Sequence, residues 1–188
     1  GLLAGRDLRA GGTWLGLSRQ GRLAAITNYH DGLSTVSEHS RGDIVPRFVA
    51  SEAPPDAFLN AVQGERYAGF SVLACDGEAL GYRSNRDGGD QTRLLTSGVY
   101  GLSNTSLNAQ SEKLVRTRDR LERLLGDDSV DLDTLVELMD DREPGNLEPS
   151  SAVTDEGSEN RARTAPLVVM PDYGTRCTTA IICRVDGH

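Results

Sequence analysis

The chain has 188 residues and a mass of 20.2 kDa, with 37% hydrophobic residues and a mean hydropathy of −0.40, which is enough for a domain-sized core at the polar end of globular composition. A net charge of −8 and a pI of about 4.9 repel phosphate backbones and anionic lipid surfaces, so neither nucleic acid nor membrane insertion is expected. No apolar run reaches the length of a spanning helix, and three cysteines without a C-x-x-C pair leave one odd in any disulfide scheme, which points to a reducing, cytoplasmic setting.

Gly1 is not an initiator methionine, and Gly1-Leu2-Leu3 lacks the basic start and cleavage site of a signal peptide, so a piece trimmed from a longer reading frame is expected. Thr13 to Leu17 and Arg22 to Thr27 read as two strands joined through Ser18-Arg19-Gln20-Gly21, with glycine supplying the permissive dihedral of the turn. Asn28 to Ser40 is polar and reads as a loop. Helices follow from Asp43 to Ala50, with Pro46 in the first turn, and from Pro55-Asp56, where proline suits the first helical position. Gly69 to Cys75 and Ala79 to Asn85 predict a second hairpin about Asp76-Gly77, and Val99 to Asn104 a further strand entered from Ser97-Gly98.

The clearest helical periodicity runs from Glu112 to Leu125, with Leu114, Leu121, Leu124 and Leu125 on one face and Gly126 where a C-terminal cap belongs. A second helix, Leu132 to Met139, is expected to turn Leu132, Leu135, Val136 and Met139 inward behind an Asp131 or Ser129 cap. The stretch 141–165 is rich in Pro, Gly, Ser and Glu and reads as a long mobile loop or a disordered insert. Leu167 to Met170, a turn at Pro171-Asp172-Tyr173-Gly174 and a strand from Thr175 to Val185 close the chain. Hairpins first, helices in the middle and a strand last predict a single α+β domain over 1–188 with mostly antiparallel sheet.

Few residues invite chemistry. Asn28 ends a strand and opens a polar loop. The plain reading is an Asx turn, and the sharper one is an amide at a strand tip aimed at a substrate carbonyl as an oxyanion donor. Asn104, closing Gly101-Leu102-Ser103-Asn104, repeats the theme, and two such amides in an antiparallel sheet can meet at one rim. Arg176 leads a strand that is apolar on both faces, which suggests a buried guanidinium in need of a carboxylate or carbonyl. His30 beside Asp31 has no serine or cysteine at a nucleophile turn to serve. Cys177 and Cys183 share one face of the last strand and read as core packing, and Asn85-Arg86-Asp87 reads as a solvated turn. The histidines and cysteines show no zinc or haem spacing, so no metal and no cofactor are expected.

The pieces "LLAGRDLRAGGTWLGL", "GRLAAITNYHD", "SRGDIVPRFVAS", "YAGFSVLACD", "YRSNR", "GVYGLSN" and "YGTRCTTAII" occur in the order found in the NRDE proteins, a family that includes the transport and Golgi organization 2 proteins of eukaryotes, and the chain resembles them across nearly its whole length. The resemblance implies a cysteine N-terminal-nucleophile-hydrolase-like fold, two antiparallel sheets stacked between helix layers. It implies that the nucleophilic cysteine and the Asn-Arg-Asp-Glu signature precede Gly1, that more chain follows His188, and that this piece alone is inert. By resemblance to bile-salt and penicillin acylases, Asn28 and Asn104 would be oxyanion amides and Arg176 would brace the pocket of an enzyme cleaving C–N bonds other than peptides. Thr13, Trp14 and Tyr29 would line the place of a small-molecule substrate. The alternative is a carrier or trafficking protein for haem, lipid or acyl-CoA-type ligands.

Overall fold

The computed structural model describes residues 1–30, 32, 37–87, 90–127, 130–145 and 163–184. These fall into two compact units, one formed by 1–98 with 103–107 and the other by 99–102 with 108–188.

The first unit is built on a six-stranded antiparallel sheet in which every neighbour in space is a neighbour in sequence: β1 (Leu2–Ala4), β2 (Leu15–Ser18), β3 (Leu23–Asn28), β4 (Phe70–Cys75), β5 (Leu80–Ser84) and β6 (Arg93–Leu95). The two hairpins read from the sequence are present, with Gly21 at φ +79 and Gly77 at φ +97 in their turns. Between β3 and β4 the chain makes a turn of 3-10 helix, Arg41–Asp43, then α1 (Ile44–Ala50), α2 (Pro55–Asn60) and a second 3-10 turn, Gly64–Arg66. Pro46 falls in the first turn of α1 and Pro55 opens α2, positions where a missing N–H costs nothing.

Both helices cover one face of the sheet. Ala24, Ile26, Phe70, Val72 and Ala74 alternate onto that face and meet Ile44, Val45, Phe48, Val49 and Leu59, all buried. A Cβ at Gly81 would stand 2.8 Å from Leu59 Cδ1 and 3.1 Å from Pro55 Cβ, so a side chain there would lift α2 off the sheet. On the opposite face Leu15, Leu17, Leu23, Ala25, Leu73 and Leu80 are half-buried, while toward the Asn28 end Ser71, Tyr82 and Ser84 are buried.

In the second unit α3 (Glu112–Gly126) and α4 (Leu132–Met139) pack on one another. Asp131 caps α4 as expected, in a reciprocal box with Thr134. The inward face differs from expectation. Leu138 is the buried residue of α4, while Leu132 and Val136 are 52% and 44% exposed. Gly126 is the last residue of α3, and the chain leaves through Asp127 at φ −93 with no left-handed turn. Asp141 accepts from Arg116 Nε at 2.8 Å and Arg120 Nη1 at 3.3 Å, which ties the end of α4 to one face of α3.

Two predicted strands are absent from the described residues. Val99 to Asn104 joins no ladder, and the third strand of that region is instead β6, upstream. From Thr175 to Arg184 the backbone joins no ladder; its start is held by Thr175 N–H donating to Val168 O at 2.8 Å, beside the isolated bridge between Val169 and Gly174. An apolar run becomes a strand only where another strand accepts its hydrogen bonds. Cys177 and Cys183 are accordingly exposed rather than packed in a core. Of the polar stretch 141–165, residues 146–162 lie outside the described residues, as do Asp31 and Val185.

Candidate functional site

The glycine pair before Trp14 has a steric cause. Gly11 sits at φ +79, and a Cβ on Gly12 would lie 2.5 Å from the carbonyl carbon and oxygen of Gly42. Two backbones touch here, sealed by Thr13 N–H donating to Gly42 O at 2.9 Å. Only glycine permits that approach. The buried Thr13 hydroxyl donates to Leu15 O, which fixes the entry into β2 and leaves Trp14 39% exposed at the end of the sheet. The contact brings the first 3-10 turn with it, so that the Arg41 guanidinium lies 5.8 Å from the centre of the Trp14 ring.

Asn28, the last residue of β3, shares the helix-covered face with Ala24 and Ile26 and stands opposite Phe70. Its carboxamide Oδ1 is shut away from solvent without a donor. The Nδ2 is not among the buried orphaned atoms and donates to none of the described residues, so a solvent-reached amide donor stands at the strand tip. Where β2 diverges at Trp14, the segment 103–107 takes its place beside β3. Thr27 Oγ1 donates to Ser103 O at 2.9 Å, His30 N–H to Asn104 O at 2.7 Å, and Asn104 Nδ2 to Asn28 O at 3.1 Å. The Tyr29 and Ser106 hydroxyls lie 3.2 Å apart.

The structure thus brings Asn28 and Asn104 together, though by side-chain lacing rather than by a strand, and one Asn104 amide hydrogen is spent on the Asn28 carbonyl. Thr13, Trp14 and Tyr29 lie at the same end of the sheet. Arg176 belongs to the other unit and is exposed, on backbone that forms no strand, so the burial expected for it is not observed. The expectation rested on a strand apolar on both faces, and residues 175–184 form no strand.

Two residues carry more than the sequence reading allowed. Asn85, taken with Arg86 and Asp87 as a solvated turn, accepts from Phe70 N–H at 2.8 Å through Oδ1 and donates through Nδ2 to Gly64 O at 2.9 Å, with Tyr67 O and Ala68 O at 3.3 Å. It is a clip for the turn that leads into β4. Arg41 went unremarked. Its Nη1 donates to Gly69 O at 2.9 Å, the same carbonyl that accepts from Tyr29 N–H, so the guanidinium stands one residue beyond Asn28. No carboxylate pairs with it among the described residues, and burial pushes its pKa down from the ordinary value. The available signal was Arg41-Gly42 itself, an arginine locked by sequence to the glycine that Gly12 needs.

No group of three or more His, Cys, Asp and Glu among the described residues is arranged to hold a metal ion. No helix among them is long and apolar enough to cross a membrane.

With the geometry in place, the comparisons are specific. The family model for Transport and Golgi organisation 2 matches residues 1–188. The chain is 34% identical over 206 residues to the Transport and Golgi organization 2 homolog of Mus musculus and to its counterpart in Homo sapiens, and 34% over 208 residues to that of Bos taurus. Each alignment takes in 100% of this chain and 74% of the relative.

Proposed function

Since the chain belongs to the Transport and Golgi organisation 2 family, we propose that the Asn28 end of its sheet is the ligand site of a protein that hydrolyses amide or related non-peptide C–N bonds. The observation that carries this reading is the Asn28 carboxamide, an unspent Nδ2 donor at a strand tip whose Oδ1 is held out of solvent. A donor fixed by packing that meets no acceptor among the described residues is what a developing oxyanion requires, because no reorganisation is needed when the charge appears. Asn104 serves as a positioning residue, holding the Asn28 carbonyl and with it the strand end.

In this reading the nucleophile is a cysteine outside residues 1–188 whose own α-amino group acts as base, which is suited to neutral pH because a free α-amino group titrates near 7.7–8.0. Thiolate attack would form a C–S bond and place negative charge on the substrate oxygen, which Asn28 stabilises; the C–N bond would then break as the α-ammonium protonates the leaving amine, and water, giving its proton to the α-amino group, would cleave the thioester to release the acid and restore the thiolate. Arg176 is given no role. The reading also makes the six-stranded sheet one half of a two-sheet sandwich. Support comes from its second face, where Leu15, Leu17, Leu23, Leu73 and Leu80 are half-buried and Ser71, Tyr82 and Ser84 are buried, unlike a face open to water.

The test uses the full-length protein. Purified protein is screened against N-acyl amides, and Asn28→Ala should lower kcat by about a hundredfold, the usual cost of one oxyanion donor, with the melting temperature little changed. An unaltered rate removes Asn28 from the chemistry. Ligand binding without turnover, in this protein and in one with its leading cysteine replaced by alanine, would give the site to a carrier.

A further inference from the structure

We propose that Arg41, backed by the exposed Trp14 ring, anchors a carboxylate on the ligand that enters at the Asn28 end of the sheet. This inference rests on the reading of that end as the ligand site and adds the chemistry of what enters it.

Arginine carries five N–H donors and a charge that no accessible pH removes. One donor of Arg41 is spent on Gly69 O and none on a carboxylate among the described residues. Two of the other partly buried guanidiniums of this unit meet several partners. Arg83 bonds Asp90 Oδ1 at 2.8 Å and Leu59 O, while Arg22 bonds Ala53 O at 2.6 Å and lies 4.3 Å from the centre of the Phe48 ring. Arg41 alone of these three meets only one carbonyl and an aromatic face. A partly desolvated cation left in that state in a chain of net charge −8 is a cost that an arriving anion relieves.

Its placement is fixed. Arg41 belongs to the turn whose next residue, Gly42, is pressed against Gly12, and its Nη1 is pinned by the carbonyl that also receives Tyr29 N–H. Little side-chain entropy then remains to be lost on binding. The Asn28 side chain is directed to the face of the sheet that this turn and α1 cover. A lone guanidinium balances a monoanion, whereas a phosphate usually recruits several cations or a nest of backbone N–H groups. The Trp14 ring offers an apolar surface to whatever precedes the acid group. An acyl chain or aromatic group ending near a carboxylate fits both features.

Trp14 is the only tryptophan of residues 1–188, so the part of the full-length protein's emission that a Trp14→Phe variant loses reports this place. The probes are N-decanoylglycine and its neutral carboxamide, N-decanoylglycinamide, titrated against the full-length protein, with turnover followed in parallel. The acid should bind about tenfold or more tightly than the amide, as a charged hydrogen-bonded pair requires. Arg41→Met should abolish the difference and Arg41→Lys should keep part of it, with melting curves reporting the fold of each variant. Equal affinities in the unaltered protein, no response of Trp14 to the acid, or a preference that survives in Arg41→Met would each overturn the proposal. Displacement of the acid by phosphate but not by acetate would overturn the choice of carboxylate. If Arg41→Met does not fold, the comparison of acid and amide on the unaltered protein decides. Failure of the hydrolase reading shows separately, as no turnover of either compound while the acid preference persists.

Discussion

Gly12 shows how much a single hydrogen atom can decide. A methyl group there would meet backbone, the Gly42 carbonyl at 2.5 Å, which cannot rotate aside as a flexible side chain would. Gly12→Ala should therefore cost about 1–3 kcal/mol, read from urea denaturation, and should shift Trp14 emission because the turn that carries Arg41 must retreat. The sequence made Gly11-Gly12 conspicuous but could not say what approached them. The partner, Gly42, is remote in the chain, and no local rule joins the two. Asn28 was legible as a strand-end amide, since strand patterning places the tip. That its nitrogen meets no acceptor among the described residues while its oxygen is sealed is a property of packing, which residue types alone do not reveal. Asn85 was misjudged for the same reason, because its acceptors arrive from a turn far upstream.

Elements followed the sequence where local signals agreed. The hairpin turns at Gly21 and Gly77, the prolines of α1 and α2 and the Asp131 cap of α4 each combine pattern with a start or stop residue, and each is present. Where only an apolar run spoke, as from Thr175 onward, no strand formed, because a partner strand is a tertiary fact. The inward face of α4 slipped for a related reason. Eight residues make little more than two turns, too few for periodicity to fix which leucine lies innermost.

The clamp that joins α3 to the end of α4 is sensitive to acid. Burial pushes the Asp141 carboxyl upward. The Arg116 hydrogen bond, the Glu143 backbone N–H and the charges of Arg116 and Arg120 outweigh it, and the folded pKa lies below the ordinary value of 3.8. A depressed carboxyl contributes stability that is complete above the unfolded pKa and vanishes as pH falls through the folded one. The second unit should hold its stability from neutral pH to about pH 4 and lose this contribution below that. Asp141→Asn should remove about 1–2 kcal/mol at pH 7, a modest figure because both arginines keep part of their exposure to water. It should also flatten the acid limb. Thermal melts of the two proteins across pH 2 to 7, a range set about the carboxylate pKa, check both.

On the scale of the whole chain, composition and charge delimited the class and motif order delimited the family, while the sheet order came only from the structure. That order has a consequence in time. β1–β2–β3 and β4–β5–β6 are each a meander closed by neighbouring residues, while the central seam, Leu23 to Asn28 against Cys75 to Phe70, must wait for the forty or so intervening residues to fold back. Contacts distant in sequence set folding speed, so zipping β3 to β4 should be the slow event, with the outer strands following cheaply. Ile26→Val, opposite Val72 in that seam, should lose about 0.5–1.5 kcal/mol mainly as slower refolding in stopped-flow chevrons. A truncation of similar cost in β6 should instead hasten unfolding. Asn28 and its neighbour Phe70 are the final pair of that seam, so the strand tip that handles ligand should be born at the moment the molecule commits to its native state.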